Sequence, residues 1–542
     1  MRKWGLVVGM LVFAVSPSRA NDIYLAASGS GNGSSCSAAR AYSFFNVQGN
    51  WGDGSSQIGP GTTVHLCGAI TGEAGAQLLV ARGSGTTAHP ITIHFETGAS
   101  IRAPYFKSTG AINISGASYI VVDGGTNGLI EATLNGSPGA TCPGGECKYQ
   151  EETKAIYADP CNGCEIANLT ISSMYVHTQC DASSGCDTRL RDFNSATAIY
   201  FGGSNIELHN LIIHDTGAVF YMHASSGSTA IYIYDNDVYN FDHGFFGGPC
   251  GRTCTLGTLS IHDNHLHDQA AWDTGTADAY HHDGIHFWDG NVGTTSELDI
   301  YNNLFDGVEG RCCITAWVYL QGAAAVNNIF NNVFVQTIDV PNGAINMSAS
   351  TTGLVFNLYN NTLLSTQSAS GTGTSGPGIT YTYSGGESST VNIVNNVFSG
   401  YNTYIALPSP DVRSFHASNN VYANDSMGGN EYWQLHSFKA TSLAAWQAGC
   451  HCDAGAIADL KTSLGVSSSG VPEVSFIGKG HGANLMYISE GALLALTHDT
   501  SAGDTRTPSP RPVGTSAWDA GAYNAGSAAP PAAPSGMRAT VE

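Results

Sequence analysis

Residues 298–307 read LDIYNNLFDG: an alternating apolar strand, the doublet Asn302-Asn303, and then a second short apolar strand. Similar phrases occur on both sides of it, namely IYIYDNDVYN (231–240), LSIHDNHLHD (259–268), VNNIFNNVFV (326–335), VFNLYNNTLL (355–364), VNIVNNVFSG (391–400) and FHASNNVYAN (415–424). Alternation of apolar and polar residues predicts half-buried strands, and the 3.6-residue periodicity of helical repeats is absent.

The spacing of the doublets sets the period of this repeat. Their second residues are Asn236, Asn264, Asn303, Asn332, Asn361, Asn396 and Asn420, and IELHNLIIHD (206–215) fits one step earlier with Asn210. These positions lie 24 to 39 residues apart. Repeats of this length, built from strands in which apolar and polar residues alternate, predict a solenoid. Asparagine tolerates left-handed backbone conformations and can therefore turn the chain between strands. In a β-solenoid the equivalent amides can stack from coil to coil as a ladder.

The repeat resembles the right-handed parallel β-helix superfamily, the pectate-lyase-like fold. The segments 22–35, 59–72 and 85–101 resemble the opening of its secreted members, and RPVGTSAWDAGAYNAG (511–526) resembles the closing segment of many bacterial ones. The resemblance implies an all-β chain: a single-stranded right-handed parallel β-helix (β-solenoid) with an N-terminal cap and disulfide-stapled loops. Known members include polysaccharide lyases, glycoside hydrolases, uronan epimerases and adhesins, so the resemblance specifies architecture better than activity.

Four segments follow from this interpretation. Residues 1–20, MRKWGLVVGMLVFAVSPSRA, have the basic start, short apolar core and small-residue cleavage site of a secretory signal peptide. Residues 21–105 are expected to form the N-terminal cap and the first strands of the β-helix, and residues 106–524 the β-helix itself. Residues 525–542 are an Ala/Pro-rich flexible tail. No later run is apolar for long enough to span a membrane, so we expect a secreted protein.

Cysteine usage and charge restrict the partners. The 14 cysteines predict disulfides rather than zinc knuckles, with the expected pairs Cys36/Cys67, Cys142/Cys147, Cys161/Cys164, Cys180/Cys186, Cys250/Cys254 and Cys450/Cys452 and with the pairing of Cys312 and Cys313 left open. The formal charge of −22, from 20 basic and 42 acidic residues, argues against nucleic acid as a partner. It also weakens the case for a polyanionic substrate. We expect an extracellular polysaccharide as the partner of a monomer.

The candidate site lies in the longest step of the repeat, which contains DAYHHDGIHFWDG (278–290). Equivalent residues of stacked coils form columns about 4.8 Å apart, here aligned on the inward residues Ile199, Val219, Phe245, Ile285, Ile314, Ile345 and Ile379. This register predicts an exposed patch in which Asp242, His282 and Arg311 are neighbours and His286 lies further along the same face. Flat aromatic rings bind sugars, and the candidates for substrate binding are Trp288 and Trp317, expected to stack on each other, together with Tyr280 and His281.

Three functions remain open for this patch. In a polysaccharide lyase His282 would be the base, Asp242 would orient it, and Arg311 would stabilise the charge of the enolate-like intermediate. In a glycoside hydrolase Asp242 and Asp283 would be the two carboxyl groups. The third alternative is a noncatalytic glycan-binding or surface solenoid. No hydrolase-type aspartate pair and no Asp-Pro-His-Asp epimerase motif is present, so no family's catalytic residues are carried over.

The sequence predicts no cofactor firmly. His282 and His286 lie roughly 13 Å apart on an extended strand, too far to share a transition-metal ion. Calcium accepts carboxylate oxygens in flexible geometry, so Asp278, Asp283 and Asp289 are candidate calcium ligands. Asp283-Gly284 is alternatively an ordinary turn that precedes a strand.

Overall fold

The fold is a parallel β-helix, seen in a computed structural model. The structure describes residues 22–135, 149, 151–174, 196–224, 228–249, 255–269, 282–288, 294–308, 314–322, 324–337, 342–349, 351–366, 376–382, 385–425, 432–486, 496–497, 509–511 and 517–523. Within these ranges 36 strands form one continuous hydrogen-bonded system that winds through three faces. The predicted all-β parallel β-helix is therefore confirmed, and crossovers between parallel strands wind right-handed as a rule.

The three faces are named sheets 1, 2 and 3 in the order in which the chain enters them. Sheet 1 contains Asp22–Ala26, Thr63–Cys67, Ile91–Phe95, Ile206–His209, Ser228–Tyr234, Thr255–His262, Thr294–Tyr301, Val326–Phe330, Leu354–Tyr359, Ser389–Val394 and Val412–Ser418. Sheet 2 contains Ala69–Thr71, Ser100–Ala103, His265–His267, Leu304–Asp306, Val333–Gln336, Thr362–Ser365, Val397–Ser399, Val421–Asn424 and Ile457–Leu460. Sheet 3 contains Leu79–Val80, Ile112–Asn113, Thr153–Ala158, Ala196–Phe201, His282–Trp288, Ile314–Gln321, Ile345–Ser348, Ile379–Tyr381, Thr403–Leu407 and Tyr432–Leu435.

Four long strands bend from one sheet into the next. Ile120–Ala132 and Glu165–Ser172 join sheet 1 to sheet 2, while Ile212–Ala224 and Asp237–Pro249 join sheet 2 to sheet 3. The remaining described elements are the short strand Arg40–Ala41, the antiparallel strands Phe438–Ala440, Leu496–Thr497 and Ser509–Pro510, the helix Leu443–Cys450, and 3-10 turns at Cys36–Ala38, Tyr42–Asn46, Gln48–Asn50 and Lys461–Ser463. None of the described helices is long and apolar enough to cross a membrane.

The asparagine doublets make the turn from sheet 1 to sheet 2. Their first residues have a left-handed backbone, with φ of 54° at Asn302 and 55° at Asn331. Their second residues are buried, and each side-chain amide donates to the amide oxygen of the next coil, as from Asn303 to Asn332 (3.0 Å). The predicted ladder is thus present, and it runs through Asn236, Asn264, Asn303, Asn332, Asn361, Asn396 and Asn420 to end on Asp453.

Asn210 occupies the first position of its doublet, not the second. It has the left-handed backbone, with φ of 53°, so the ladder column of that coil holds Leu211. The backbone N–H of Leu211 donates to Asn236 Oδ1 at 3.0 Å. The asparagine ladder therefore begins at Asn236, one coil later than predicted.

The inside of the coils is one apolar core that runs from Ile23 to Trp446. The C-terminal segment packs outside it, against the asparagine turns. There the buried Arg511 guanidinium donates to Asn331 Oδ1 (3.0 Å) and lies over the ring of Trp518. The resemblance of this segment to a closing element is matched by its position, because it covers apolar residues on the outer side of sheets 1 and 2.

Three of the expected disulfides are formed: Cys36–Cys67, Cys161–Cys164 and Cys450–Cys452. All cysteines among the described residues are bonded, a state compatible with an extracellular protein. The other expected pairs lie outside the described residues, as do the segments 1–20 and 525–542.

Candidate functional site

Five ionisable side chains of sheet 3 form a continuous contact chain, named here the His/Asp network: His282, Asp242, His243, Asp283 and His286. His282 Nδ1 lies 3.4 Å from Asp242 Oδ2, and the other oxygen of Asp242 contacts His243 Nδ1. His243 Nε2 lies 3.4 Å from Asp283 Oδ2, which is 3.2 Å from His286 Nδ1. Two adjacent coils supply the whole network, because strand Asp237–Pro249 pairs with strand His282–Trp288.

Three members of the network, His243, Asp283 and His286, lie on the outer side of sheet 3. Ile285 and Phe287 point into the core, so alternation along the strand directs His286 outward. Asp283 contacts the His286 ring, and His243 contacts Asp283, which places both on the same side. The five side chains are nevertheless buried, with at most 5% of any of these residues exposed.

Mutual charge compensation stabilises this buried network. Burial by itself favours the neutral carboxylic acid of Asp242, but His282 and His243 outweigh it and hold the pKa of this carboxyl below its usual range. Burial likewise opposes ionisation of Asp283, whose pKa is lowered by His243 and His286. Burial would lower the pKa of His243, yet the flanking carboxylates of Asp242 and Asp283 raise it to about 9. His243 is therefore an imidazolium at neutral pH, held between two carboxylates.

Hydrogen bonds orient the end of the network. Asp283 Oδ1 accepts from the Ala316 backbone N–H at 3.1 Å. His286 Nε2 lies 3.3 Å from the side-chain oxygen of Gln321 on the next coil. Nδ1 of the His286 ring thus faces a carboxylate while Nε2 faces a neutral amide, and this arrangement positions the ring for proton transfer at Nε2.

A row of aromatic rings in contact continues from His286 along the outer side of sheet 3. This aromatic column consists of Tyr157, Tyr200, Tyr221, Phe246, His286 and Tyr319. The centroids of successive rings lie 4.7 to 5.2 Å apart, close to the spacing of the coils. Trp288 lies beside it, 44% exposed and 6.5 Å from Phe246. The four tyrosines of this strip are half-buried and offer sugars a stacking surface, whereas Phe246 and His286 are buried.

The structure brings together Asp242, His282, Asp283 and His286, but the predicted exposed patch is wrong because these residues are buried. The predicted pairing of Ile285 with Phe245 is confirmed, but on the following coil Ile285 pairs with Val318 and not with Ile314. A bulge between His282 and Asp283 shifts the pairing with the next coil.

Trp317 also points into the core, next to the core residue Val318, so strict alternation does not hold at this point of the strand. It is fully buried against Phe305, so the predicted stack of Trp288 on Trp317 and a role of Trp317 in substrate binding are wrong. The anchor Val219 is likewise replaced by Phe220, the partner of Ile199.

The Asp283-Gly284 pair is not a turn. Both residues lie within strand His282–Trp288, and a Cβ added to Gly284 would lie 2.6 Å from the backbone oxygen of Trp317. Glycine is therefore required for the close approach of the next coil. Arg311, Tyr280, His281, Asp278 and Asp289 lie outside the described residues, so their predicted roles stay predictions.

Two further features were not predicted from the sequence. One is the aromatic column, and its signal was available as an aromatic residue directly after the inward residue, in Ile156-Tyr157, Ile199-Tyr200, Phe220-Tyr221, Phe245-Phe246 and Val318-Tyr319. The other is the pair of Asp159 and His223, whose Oδ2 and Nδ1 atoms are 2.7 Å apart, next to Tyr200. The Asp159 carboxylate raises the pKa of His223.

Part of the network has the side chains to bind a metal ion. Three residues, His243, Asp283 and His286, each offer one atom that can bind a metal ion. These three atoms lie within 4.8 Å of one another. Binding at His243 Nε2 requires loss of the proton that the two carboxylates stabilise there, so metal and proton compete for this position. Asp283 is the only described member of the predicted calcium set, and it is fully buried among imidazoles.

Comparison with known proteins adds little. No protein-family model matches the chain, and no curated protein shows significant sequence similarity. Among solved structures, the pectate lyase Pel9A aligns over 93% of this chain and 96% of its own, with 14% sequence identity and a TM-score of 0.27. A similarity at this level supports neither a fold nor a function. The fold assignment rests on the strand pairing described above.

Proposed function

We propose that this protein binds an extracellular polysaccharide along the outer side of sheet 3 and cleaves it by β-elimination. The observation that carries the proposal is the double membership of His286, which ends the His/Asp network and also belongs to the aromatic column. A sugar stacked on the column would lie next to a histidine oriented by a carboxylate. Proton abstraction by histidine near neutral pH is the chemistry that such a pair supplies.

His286 is the proposed base, in place of His282. His282 is fully buried and is separated from the aromatic column by Asp242, His243 and Asp283. To act as the base, His286 needs a neutral ring whose Nδ1–H donates to Asp283 and whose lone pair is on Nε2. Nε2 lies 3.3 Å from the side-chain oxygen of Gln321, which is an acceptor, so the Gln321 amide must turn away before Nε2 can take the substrate proton.

The proposed reaction breaks one C–H and one C–O bond. His286 Nε2 takes the proton α to a uronate carboxyl group, the electron pair forms the carbon–carbon double bond, and the glycosidic oxygen leaves. Tyr319, whose ring centroid is 4.7 Å from that of His286, is the proposed donor of the proton to this oxygen. Burial and the nearby Asp283 raise the pKa of its phenol, which therefore remains protonated. Arg311 keeps its proposed role of stabilising the enolate-like intermediate.

The carboxyl groups support elimination over hydrolysis. A glycoside hydrolase needs one carboxylic acid that stays protonated near neutral pH. The pKa values of both Asp242 and Asp283 are lowered, so neither suits the general acid of the alternative. The burial of the network favours a second candidate, a noncatalytic glycan-binding solenoid that uses the aromatic column alone.

Product analysis separates these functions. The protein is incubated with acidic and neutral polysaccharides, and unsaturated products are followed by their ultraviolet absorption. We expect new absorption with at least one uronic-acid polysaccharide. Reducing ends without absorption would identify a hydrolase, and retardation in a polysaccharide gel without any product would identify a binding protein; either result contradicts the proposed elimination.

Replacing Trp288 by alanine should weaken polysaccharide binding by up to about tenfold, since an aromatic contact contributes about 1 kcal/mol. The matched control is Tyr232→Ala, which removes an exposed ring from sheet 1. Affinity electrophoresis measures both variants. Equal retardation of Trp288→Ala and the unsubstituted protein would show that the glycan lies elsewhere.

A further inference from the structure

A second cluster of histidine and aspartate lies on the outer side of sheet 2, away from the network. Asp237, His265 and His267 each offer one ligand-type atom, and these atoms lie within 4.8 Å of one another. We propose that these three residues bind a divalent transition-metal ion of the zinc class. The proposal does not depend on the proposed function, because no residue is shared between the two sites.

The strands bring these three side chains to one side of the sheet. His265 and His267 flank Leu266, which points into the core, so alternation directs both imidazoles outward. Their ring centroids are 4.1 Å apart. Asp237 lies on the preceding coil and pairs directly with His265. Its neighbour Val238 is likewise a core residue.

The ligand atoms converge to nearly the spacing that a metal ion imposes. Asp237 Oδ1 lies 3.0 Å from His267 Nε2 and 3.8 Å from His265 Nδ1. Bonds of about 2.0–2.2 Å in tetrahedral geometry place ligand atoms roughly 3.3–3.6 Å apart. Adjustments of a few tenths of an ångström would bring Asp237 to these distances from both histidines, and the three ligand-type atoms lie within 4.8 Å of one another.

The second nitrogen of each imidazole is held by a further carboxylate. His265 Nε2 lies 2.7 Å from Asp306 Oδ1, and His267 Nδ1 lies 2.7 Å from Asp268 Oδ2. The other oxygen of Asp268 accepts from the Val308 backbone N–H at 2.9 Å. Carboxylates behind metal-bound histidines fix the ring orientation and increase its basicity. The arrangement thus has both the ligands and their supporting groups.

The donor set and exposure select the class of ion. Two imidazoles with one carboxylate suit zinc and its first-row neighbours, whereas calcium prefers oxygen ligands alone. The side chains of Asp237, His265 and His267 are 35%, 18% and 20% exposed, so an ion can enter from solvent. Three nearby carboxylates, those of Asp237, Asp268 and Asp306, supply the compensating negative charge.

Such an ion would connect successive coils. Asp237 lies on one coil, both histidines on the next, and the supporting Asp306 on the coil after that. Asp268 and Gln269 begin the chain segment that leads to His282, so the ion would hold the start of this segment.

The test is metal binding by untagged protein freed of metal with a chelator. Calorimetric titration with Zn²⁺, and the visible absorption of Co²⁺, should report one ion at this site. His265→Ala and His267→Ala should each weaken binding of that ion more than about 100-fold, and Asp306→Asn about 10- to 100-fold. His262→Ala is the control, because His262 lies in the same coil, is 18% exposed and contacts a carboxylate, Asp263.

Two results would overturn the proposal: no tight binding by the unsubstituted protein, or binding unchanged in both histidine variants. Anomalous diffraction at the zinc edge from crystals of the unsubstituted protein covers the case of a variant that does not fold. A peak between Asp237, His265 and His267 supports the site. A peak only at His243, Asp283 and His286, or no peak, contradicts it.

Discussion

His286→Ala is expected to reduce the rate of polysaccharide cleavage by about 10²- to 10⁴-fold, the usual contribution of a positioned acid or base. Its ring lies between those of Phe246 and Tyr319 in the aromatic column and also contacts the Asp283 carboxylate of the His/Asp network. Binding of the polysaccharide should change much less, because the remaining rings of the column are unaltered. The measurement is the initial rate at which ultraviolet absorbance increases, with the polysaccharide that gives a product.

The control is His209→Ala, which removes a partly buried histidine of sheet 1 that stacks on a tyrosine and contacts a carboxylate, Glu165. Its rate should match that of the unsubstituted protein. Tyr319→Phe retains the ring and removes only the hydroxyl, so a large fall in its rate would support proton donation to the leaving oxygen. Full activity of a folded His286→Ala variant would exclude His286 as the base.

Asn332→Ala is expected to lower the free energy of unfolding by about 3 kcal/mol or more. The side-chain oxygen of Asn332 accepts from the backbone and side-chain N–H groups of Asn303, both at 3.0 Å. Its amide donates to the Ile300 carbonyl at 2.9 Å and to Asn361 Oδ1 at 3.0 Å. Alanine leaves several of these buried groups without a partner, and each costs about 1–3 kcal/mol.

Urea unfolding followed by circular dichroism measures this effect as a lower midpoint. Asn127→Ala is the control, because Asn127 is exposed and accepts a single hydrogen bond, from the Gly98 N–H. Its midpoint should change little. A midpoint of Asn332→Ala equal to that of the control would show that the ladder does not stabilise the coils.

The repeat could be predicted because its period depends on local chemistry. The doublet combines a residue that adopts a left-handed backbone with one whose amide fits a buried ladder, and asparagine suits both positions. The same dual suitability explains the error at Asn210. A single asparagine does not indicate which of the two positions it occupies, and Leu211 takes the ladder position there.

The register of sheet 3 could be predicted only in part. Asp242 and His282 are neighbours as expected, because the two coils that carry them pair without interruption from His243 onward. The next coil was aligned on Ile314 instead of Val318, an error of four residues, of which the bulge after His282 accounts for one. The aromatic residue after each inward residue would have selected Val318, since Tyr319 continues the column below His286.

The sequence by itself determined the architecture, the turns and the disulfides Cys36–Cys67, Cys161–Cys164 and Cys450–Cys452. Apart from Cys36–Cys67, whose cysteines are 31 residues apart, these depend on residues close in the chain or on a pattern repeated in every coil. Only the tertiary structure decided that His243 joins the network between Asp242 and Asp283, that the network is buried, and that Trp317 belongs to the core. The reason is physical: a shift of one residue in a strand exchanges its inner and outer faces, and only pairing with the coils on either side fixes that shift.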